Sequence, residues 1–176
     1  MYKANQTREF SSCNISFLVS GTLIIMITSL FMNACSAKIA YNIMEPNIIV
    51  MNTVIASASA GCQIFLQNQY SNSFKDQEKI AKTQLAQHYS VHELCGGVLA
   101  GLISISGASA HVDLWAAAII GIIGSLIFQS LRRLNYRLEI DDPLENSVIH
   151  GFCGLWSIFA VGLFDTDMGM IYTGKV

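Results

Sequence analysis

Residues 141–156 read Asp-Asp-Pro-Leu-Glu-Asn-Ser-Val-Ile-His-Gly-Phe-Cys-Gly-Leu-Trp. Three carboxylates, Asp141, Asp142 and Glu145, crowd the first five positions; no Asp, Glu, Lys or Arg then returns until Asp165. The change at Pro143 reads as a helix start. Proline suits a first helical position, where its missing N–H would be unpaired anyway. Carboxylates there bind free N–H groups and complement the helix dipole. The helix is expected to end near Phe164, and ~20 apolar residues cross a hydrocarbon core. Within it lies His150, flanked by Val148, Ile149, Gly151 and Phe152. An ionisable ring at such depth is costly and marks a functional hypothesis. Imidazole titrates near neutrality and both donates and accepts hydrogen bonds. The alternative is a histidine bonded to a neighbouring helix for packing alone. Gly151 and Gly154 strip bulk from the helix beside it, so a pore or another helix can come close.

Outward from this stretch the same pattern recurs. Of 176 residues, 52% are hydrophobic and only 12% charged, about half the charge of a soluble domain. Charge-free gaps separate Glu9 from Lys38, Glu45 from Lys75, Glu93 from Asp113, Asp113 from Arg132 and Glu145 from Asp165, each 18 to 29 residues long. Five such segments leave too little polar surface for a soluble protein. The fold expected is therefore all-α, a polytopic membrane bundle of about five transmembrane helices. The spans are read as Ile15–Ala37, Pro46–Gln67, Glu93–Ser106, Leu114–Leu131 and Pro143–Phe164. Residues 1–14 form a polar segment without signal-peptide order. Residues 69–91 read as the longest polar loop, with room for one short amphipathic helix, and residues 165–176 as a polar tail.

The third and fourth spans are rich in small residues. Gly97 and Gly101 form G-x-x-x-G, and Ala117, Gly121 and Ser125 repeat at the same spacing. Such faces let helices approach closely in lipid. Orientation follows from Lys and Arg: with a cytosolic N-terminus, eight fall inside and only Lys38 and Lys175 outside, which favours N-in, C-out. The N-x-S/T triplets at Asn5 and Asn14 then face the cytosol or the membrane edge and read as chance.

Few residues suggest other chemistry. Asp141, Asp142 and Glu145 are read as helix caps, with cation capture as the lesser alternative. Met32, Asn33 and Ser36, near the outer end of the first span, are able to line a vestibule. His88 and His92 stand four apart without a third ligand, so no metal is expected. His111 reads as a solvated turn residue. The five cysteines are scattered, with no paired spacing. Net charge −2 gives no footprint for nucleic acid. No nucleotide loop, G-x-S-x-G or H-E-x-x-H is present, so neither an enzyme nor a cofactor is expected.

Taken together, the segments resemble the ammonium transporter (Amt/Mep/Rh) family. Gly21-Thr22 through Asn33-Ala34-Cys35-Ser36 is similar to the family's G-T…G-W-F-G-F-N-A-G-S helix, and Asn52-Thr53 to the start of the next. Residues 95–118 resemble the eighth helix and the turn entering the ninth. Asp141-Asp142-Pro143 with Val148-Ile149-His150-Gly151-Phe152-Cys153-Gly154-Leu155-Trp156 resembles D-D-P…V-H-G-V-C-G-I-W, the most specific piece. The family fold is an eleven-helix trimeric protomer with two inverted five-helix repeats, and this chain matches the second. The resemblance implies an ammonium channel component in which ammonia, after loss of a proton, passes His150 as the second pore histidine. A charged ammonium is strongly penalised in a dry tube and neutral ammonia far less. Ser36 matches the outer-site serine, Met32 stands at the gate phenylalanine, and Asn33 is kept; Gly151, Gly154 and Asp142 are implied to be structural beside the pore.

The resemblance also implies ammonium, ammonia or methylammonium as substrate, the lipid bilayer as host with the plasma membrane expected, and a homotrimer or an assembly with full-length members. This sequence departs from the pattern at Ser29, Met32, Cys35 and Gly96, which stand where the family has Trp, Phe, Gly and Ser or Asn. The first repeat, with the other pore histidine and gate residue, is not in this sequence. The chain is therefore expected not to conduct alone, as a partial sequence, a degenerate copy or a split half. The alternative is a non-conducting membrane subunit that associates with full-length transporters.

Overall fold

The structure is a computed structural model that describes residues 14–41, 46–74, 83–140, 142 and 144–174. It is a helical bundle: α1 Ile15–Tyr41, α2 Pro46–Phe74, α3 Thr83–Ile105, α4 Leu114–Arg137, a π-helical turn Ser147–Phe152 running into α5 Cys153–Phe164, and the short α6 Met170–Thr173. Among the described residues, four stretches are long and apolar enough to cross a membrane: Ile15–Ser36, Pro46–Gln69, Leu114–Asn135 and Ser147–Phe164. A fifth apolar stretch, Val91–Ile105, is shorter. The chain is a multi-pass membrane protein.

The helices outrun their apolar segments. α2 continues to Phe74 and α3 begins at Thr83, so both reach well into the stretch read as a loop. Hydropathy marks where lipid ends, whereas a helix already nucleated in lipid extends through Gln, Ser and Asn by adding one hydrogen bond per residue. The fifth span starts late. Its helix begins near Ser147, not at Pro143, and Pro143 and Asp141 lie outside the described residues. Glu145 has φ of +55°, a left-handed conformation that cannot continue an α-helix.

α2, α3 and α4 form the core, with α1 set against α2 and α3, and α5 against α3 and α4. Glycine makes the core possible. A Cβ on Gly101 would lie 2.6 Å from Ala60 Cβ and 2.7 Å from the Ala56 carbonyl oxygen. One on Gly121 would collide with that same Ala56 oxygen, and one on Gly97 with Ile64. The small-residue faces are therefore points of backbone-to-backbone approach. At Gly96 the missing side chain is replaced by the fully buried Phe128, whose ring would be 2.5 Å from a Cβ there.

Lipid leaves no water to satisfy polar groups, and several polar side chains inside the bundle find partners there, whereas Asn52 Oδ1, His92 Nδ1 and Ser104 Oγ are buried without one. Asn52, fully buried, donates from Nδ2 to the carbonyls of Ser109 (2.9 Å) and Val112 (2.8 Å), fixing the turn between α3 and α4. Ser59 Oγ donates to the Ala118 carbonyl at 3.0 Å and Trp156 Nε1 to that of Ile120 at 3.2 Å. Ser157 Oγ accepts the Gly107 N–H at 2.8 Å. His111 lies in that turn, half-buried, its carbonyl accepting the Thr166 N–H at 2.9 Å. The tail returns over the same end: Tyr172 donates its hydroxyl to Asp113, and Trp115 meets Phe164 edge-on with ring centres 6.0 Å apart.

Candidate functional site

The site is built around the first turn of the fifth span. Asp142 stands outside the helix, where its carboxylate accepts the N–H groups of Asn146 (3.1 Å) and Ser147 (2.8 Å) and the Ser147 hydroxyl. These are the donors that a helix start leaves unpaired. Asp142 is therefore a cap. The Ser147 hydroxyl bond, opposed by slight burial and aided by the N–H groups of Ser147, Asn146 and Glu145, holds its carboxyl below the usual carboxylate range. A depressed folded pKa means that the stabilisation is fully present above the unfolded value, ~3.9, and is lost as pH falls through the folded value. Amide protection of Asn146 and Ser147 should thus be flat from neutral pH down to about 5 and fall only below about 4. Asp142→Asn should abolish that pH dependence; an unchanged profile by NMR exchange would count against the cap.

Glu145 does not act as a cap. Its carboxylate turns to the buried Arg132 of α4, which also binds Glu93 of α3 at 2.7 Å. Arg132 closes the apolar run 114–131 and reads from sequence as one more cytosolic charge. The available signal was local: Glu93 and Glu145 each open an apolar segment, and burial of either requires a cation.

The π-turn follows. The Cys153 N–H reaches back five residues to the Val148 carbonyl, a geometry that appears mostly as single turns and frequently at functional sites. Val148 and Ile149 point into the core and His150 points out, exposed. With the helix starting at Ser147, His150 lies in its first turn, shallower than a start at Pro143 implies. A Cβ on Gly151 or Gly154 would meet nothing within 4 Å. Around them Phe152, Leu155, Ile158 and Phe159 are exposed, the last two by more than two-thirds.

On α1, Met32 and Ser36 are exposed as well. Asn33 differs from the vestibule expectation: it is buried and donates from Nδ2 to Thr53 Oγ1 at 3.2 Å, joining α1 to α2. α1 and α5 do not touch; α3 lies against both. The structure thus keeps His150 apart from Met32 and Ser36, on the exposed sides of two separate helices. The sequence signal for the role of Asn52 is its lone amide inside an apolar span, which requires buried partners. Among the described residues, no three His, Cys, Asp or Glu side chains converge as metal ligands.

The sequence model of the Ammonium Transporter Family matches residues 1–175. The chain belongs to the ammonium transporter family. It is 31% identical over 128 residues to ammonium transporter 1 member 1 of Arabidopsis thaliana, covering 72% of this chain and 24% of that protein. It is 41% identical over 81 residues to ammonium transporter 3 of Dictyostelium discoideum, covering 45% of this chain and 19% of that one. Among solved structures it is similar to Mep2 of Candida albicans (TM-score 0.72, 27% identity, 90% of this chain and 32% of that one). It is also similar to Mep2 of Saccharomyces cerevisiae (TM-score 0.71, 25% identity, 92% and 32%). The chain spans about a quarter of the length of the curated transporters it matches. Ammonium transport is the business of the family; what this part of the fold contributes is a separate matter.

Proposed function

We propose that this chain supplies one wall of an ammonia path, as a half-transporter that works only when complementary helices cover its open face. The observation that carries this reading is the contrast between two sets of glycines. Those of α3 and α4 are packed against neighbouring helices, whereas Gly21 of α1 and Gly151 and Gly154 beside His150 face empty space. Glycines on a helix face let a partner backbone approach closely. The apolar side chains around His150 then form a dry lining, through which neutral ammonia passes at far lower cost than ammonium. The imidazole would offer the hydrogen-bonding partner along that lining. Ser36 would accept a hydrogen bond from ammonium at the outer end, and Met32 would plug the entrance without the ring face that attracts cations. Asn33 belongs to the α1–α2 contact. A trimeric assembly follows from the family reading.

A second reading is favoured by Met32 and Cys35. They change the outer end of α1 while the packed core stays intact, as suits a non-conducting subunit of full-length transporters. Labelled methylammonium uptake into proteoliposomes separates the two. The chain alone should give background uptake. Added to the first five helices of a relative, such as the Arabidopsis transporter, it should restore uptake well above either part alone. Uptake by the chain by itself that disappears in His150→Ala would overturn the half-transporter reading. Co-purification with a full-length member, without restored uptake, would establish the subunit reading instead.

A further inference from the structure

The foot of the bundle holds an ion cluster that the ammonia path does not use. Arg132 sits in the last turns of α4 with its guanidinium buried between Glu93 of α3 and Glu145 of the segment entering α5. Such a cluster is a poor source of stability, because desolvating three charges offsets most of their attraction. Its retention calls for another role, and the backbone beside it supplies one. Glu145 is left-handed at φ +55°, a conformation unfavourable for a residue with a side chain and sustained only where the surroundings over-determine it. From that residue the helix is launched: the Glu145 carbonyl accepts the Ile149 N–H at 2.9 Å, and the next turn is the π-turn carrying His150.

We propose that Arg132 is the positioning residue for His150. By clamping the carboxylates of Glu93 and Glu145, it holds Glu145 left-handed and sets the register at which the π-turn begins. A π-turn contains one residue more than an α-turn, and one residue of helix is a rotation of about 100°. Loss of the clamp lets Glu145 relax and the turn regularise, swinging the imidazole around the helix axis by tens of degrees. Arg suits the task because its planar fork reaches two carboxylates at once, which a lysine ammonium does less well. The role for transport rests on the proposed ammonia path; where the ring points does not.

The test is therefore placed on the ring, in the full chain in lipid nanodiscs with isotope-labelled histidine, His150→Gln assigning the imidazole signal. Arg132→Gln leaves the buried Glu145 carboxylate and the half-buried Glu93 carboxylate unpaired and risks unfolding. The decisive variant is the neutral triple Glu93→Gln, Arg132→Met, Glu145→Gln, which leaves no orphan charge. It should keep the helix content and the Trp115 signals of the far end while moving the His150 imidazole resonances away from their wild-type positions. Replacing Glu145 by Gly in the same neutral background should bring them back, since glycine adopts the left-handed conformation without a clamp. A folded neutral triple with wild-type His150 resonances overturns the proposal. So does a neutral triple that fails to fold, because the cluster would then act on the whole bundle. None of these readouts requires conduction, so failure of the transport reading remains distinguishable.

Discussion

Gly121→Leu should leave the chain unable to form its α2–α3–α4 core. A Cβ at position 121 falls on the Ala56 carbonyl oxygen, 2.6 Å from Ser59 Oγ and 2.8 Å from the Ala56 carbonyl carbon. Two of these three obstacles are backbone atoms inside a helix, which no rotamer change can move aside. α2 and α4 must separate, and with them go the Ser59–Ala118 hydrogen bond and the packing of Ala56 against Ala116, Ala117 and Ile120. Overpacking a core typically costs about 1–3 kcal/mol even where side chains can yield, and here they cannot. In lipid no hydrophobic effect between helices compensates the lost contacts. The expected result in detergent or nanodiscs is loss of the cooperative thermal transition and a broad, polydisperse elution profile. Gly154→Ala is the matched control: the space beside it is open, so the transition should stay near wild type. A Gly121→Leu protein melting like wild type would mean that the backbones do not meet there.

Much of this architecture was legible in the residues. The charge-free gaps located the apolar stretches because a hydrocarbon core imposes a length on whatever crosses it. The spacing Gly97–Gly101 and Ala117–Gly121–Ser125 located the packed faces because small residues recur where helices touch. Helix ends were not legible. Gln69 to Phe74 and Thr83 to Ser90 are polar, and polarity tells where lipid stops, not where hydrogen bonding stops. The start of the fifth span was misplaced for a different reason. Proline and carboxylates are general signals of a helix start, while the true start is set by the left-handed backbone at Glu145 and by Arg132, a residue contributed from another helix. Partnerships of that kind, like those of Asn52 with the turn between α3 and α4 and Asn33 with Thr53, depend on tertiary placement. Sequence shows that such groups need partners without saying which. His150 was legible as an exception, a titratable ring where the chain is otherwise apolar.

The second large effect expected concerns that ring. With the complementary helices supplied, His150→Ala should lower methylammonium uptake at least about fivefold at equal protein level. The side chain is exposed on the open face with glycines beside it, so removing it takes no support from the core. The thermal transition of the isolated chain should therefore be unchanged, and a fall in uptake is not a folding defect. In the assembled path the same change removes a hydrogen-bonding partner from a lining made of Phe152, Leu155 and their like. An unsatisfied polar group in a dry site costs about 1–3 kcal/mol, which corresponds to about a fivefold to 150-fold loss of rate if the cost falls at the barrier. His150→Asn keeps a donor and an acceptor but shortens their reach, so it should retain part of the rate. A variant holding alanine at 150 that transports within about twofold of wild type, a difference of only ~0.4 kcal/mol, would place the imidazole off the path. The glycine-lined face would then be a docking surface and nothing more.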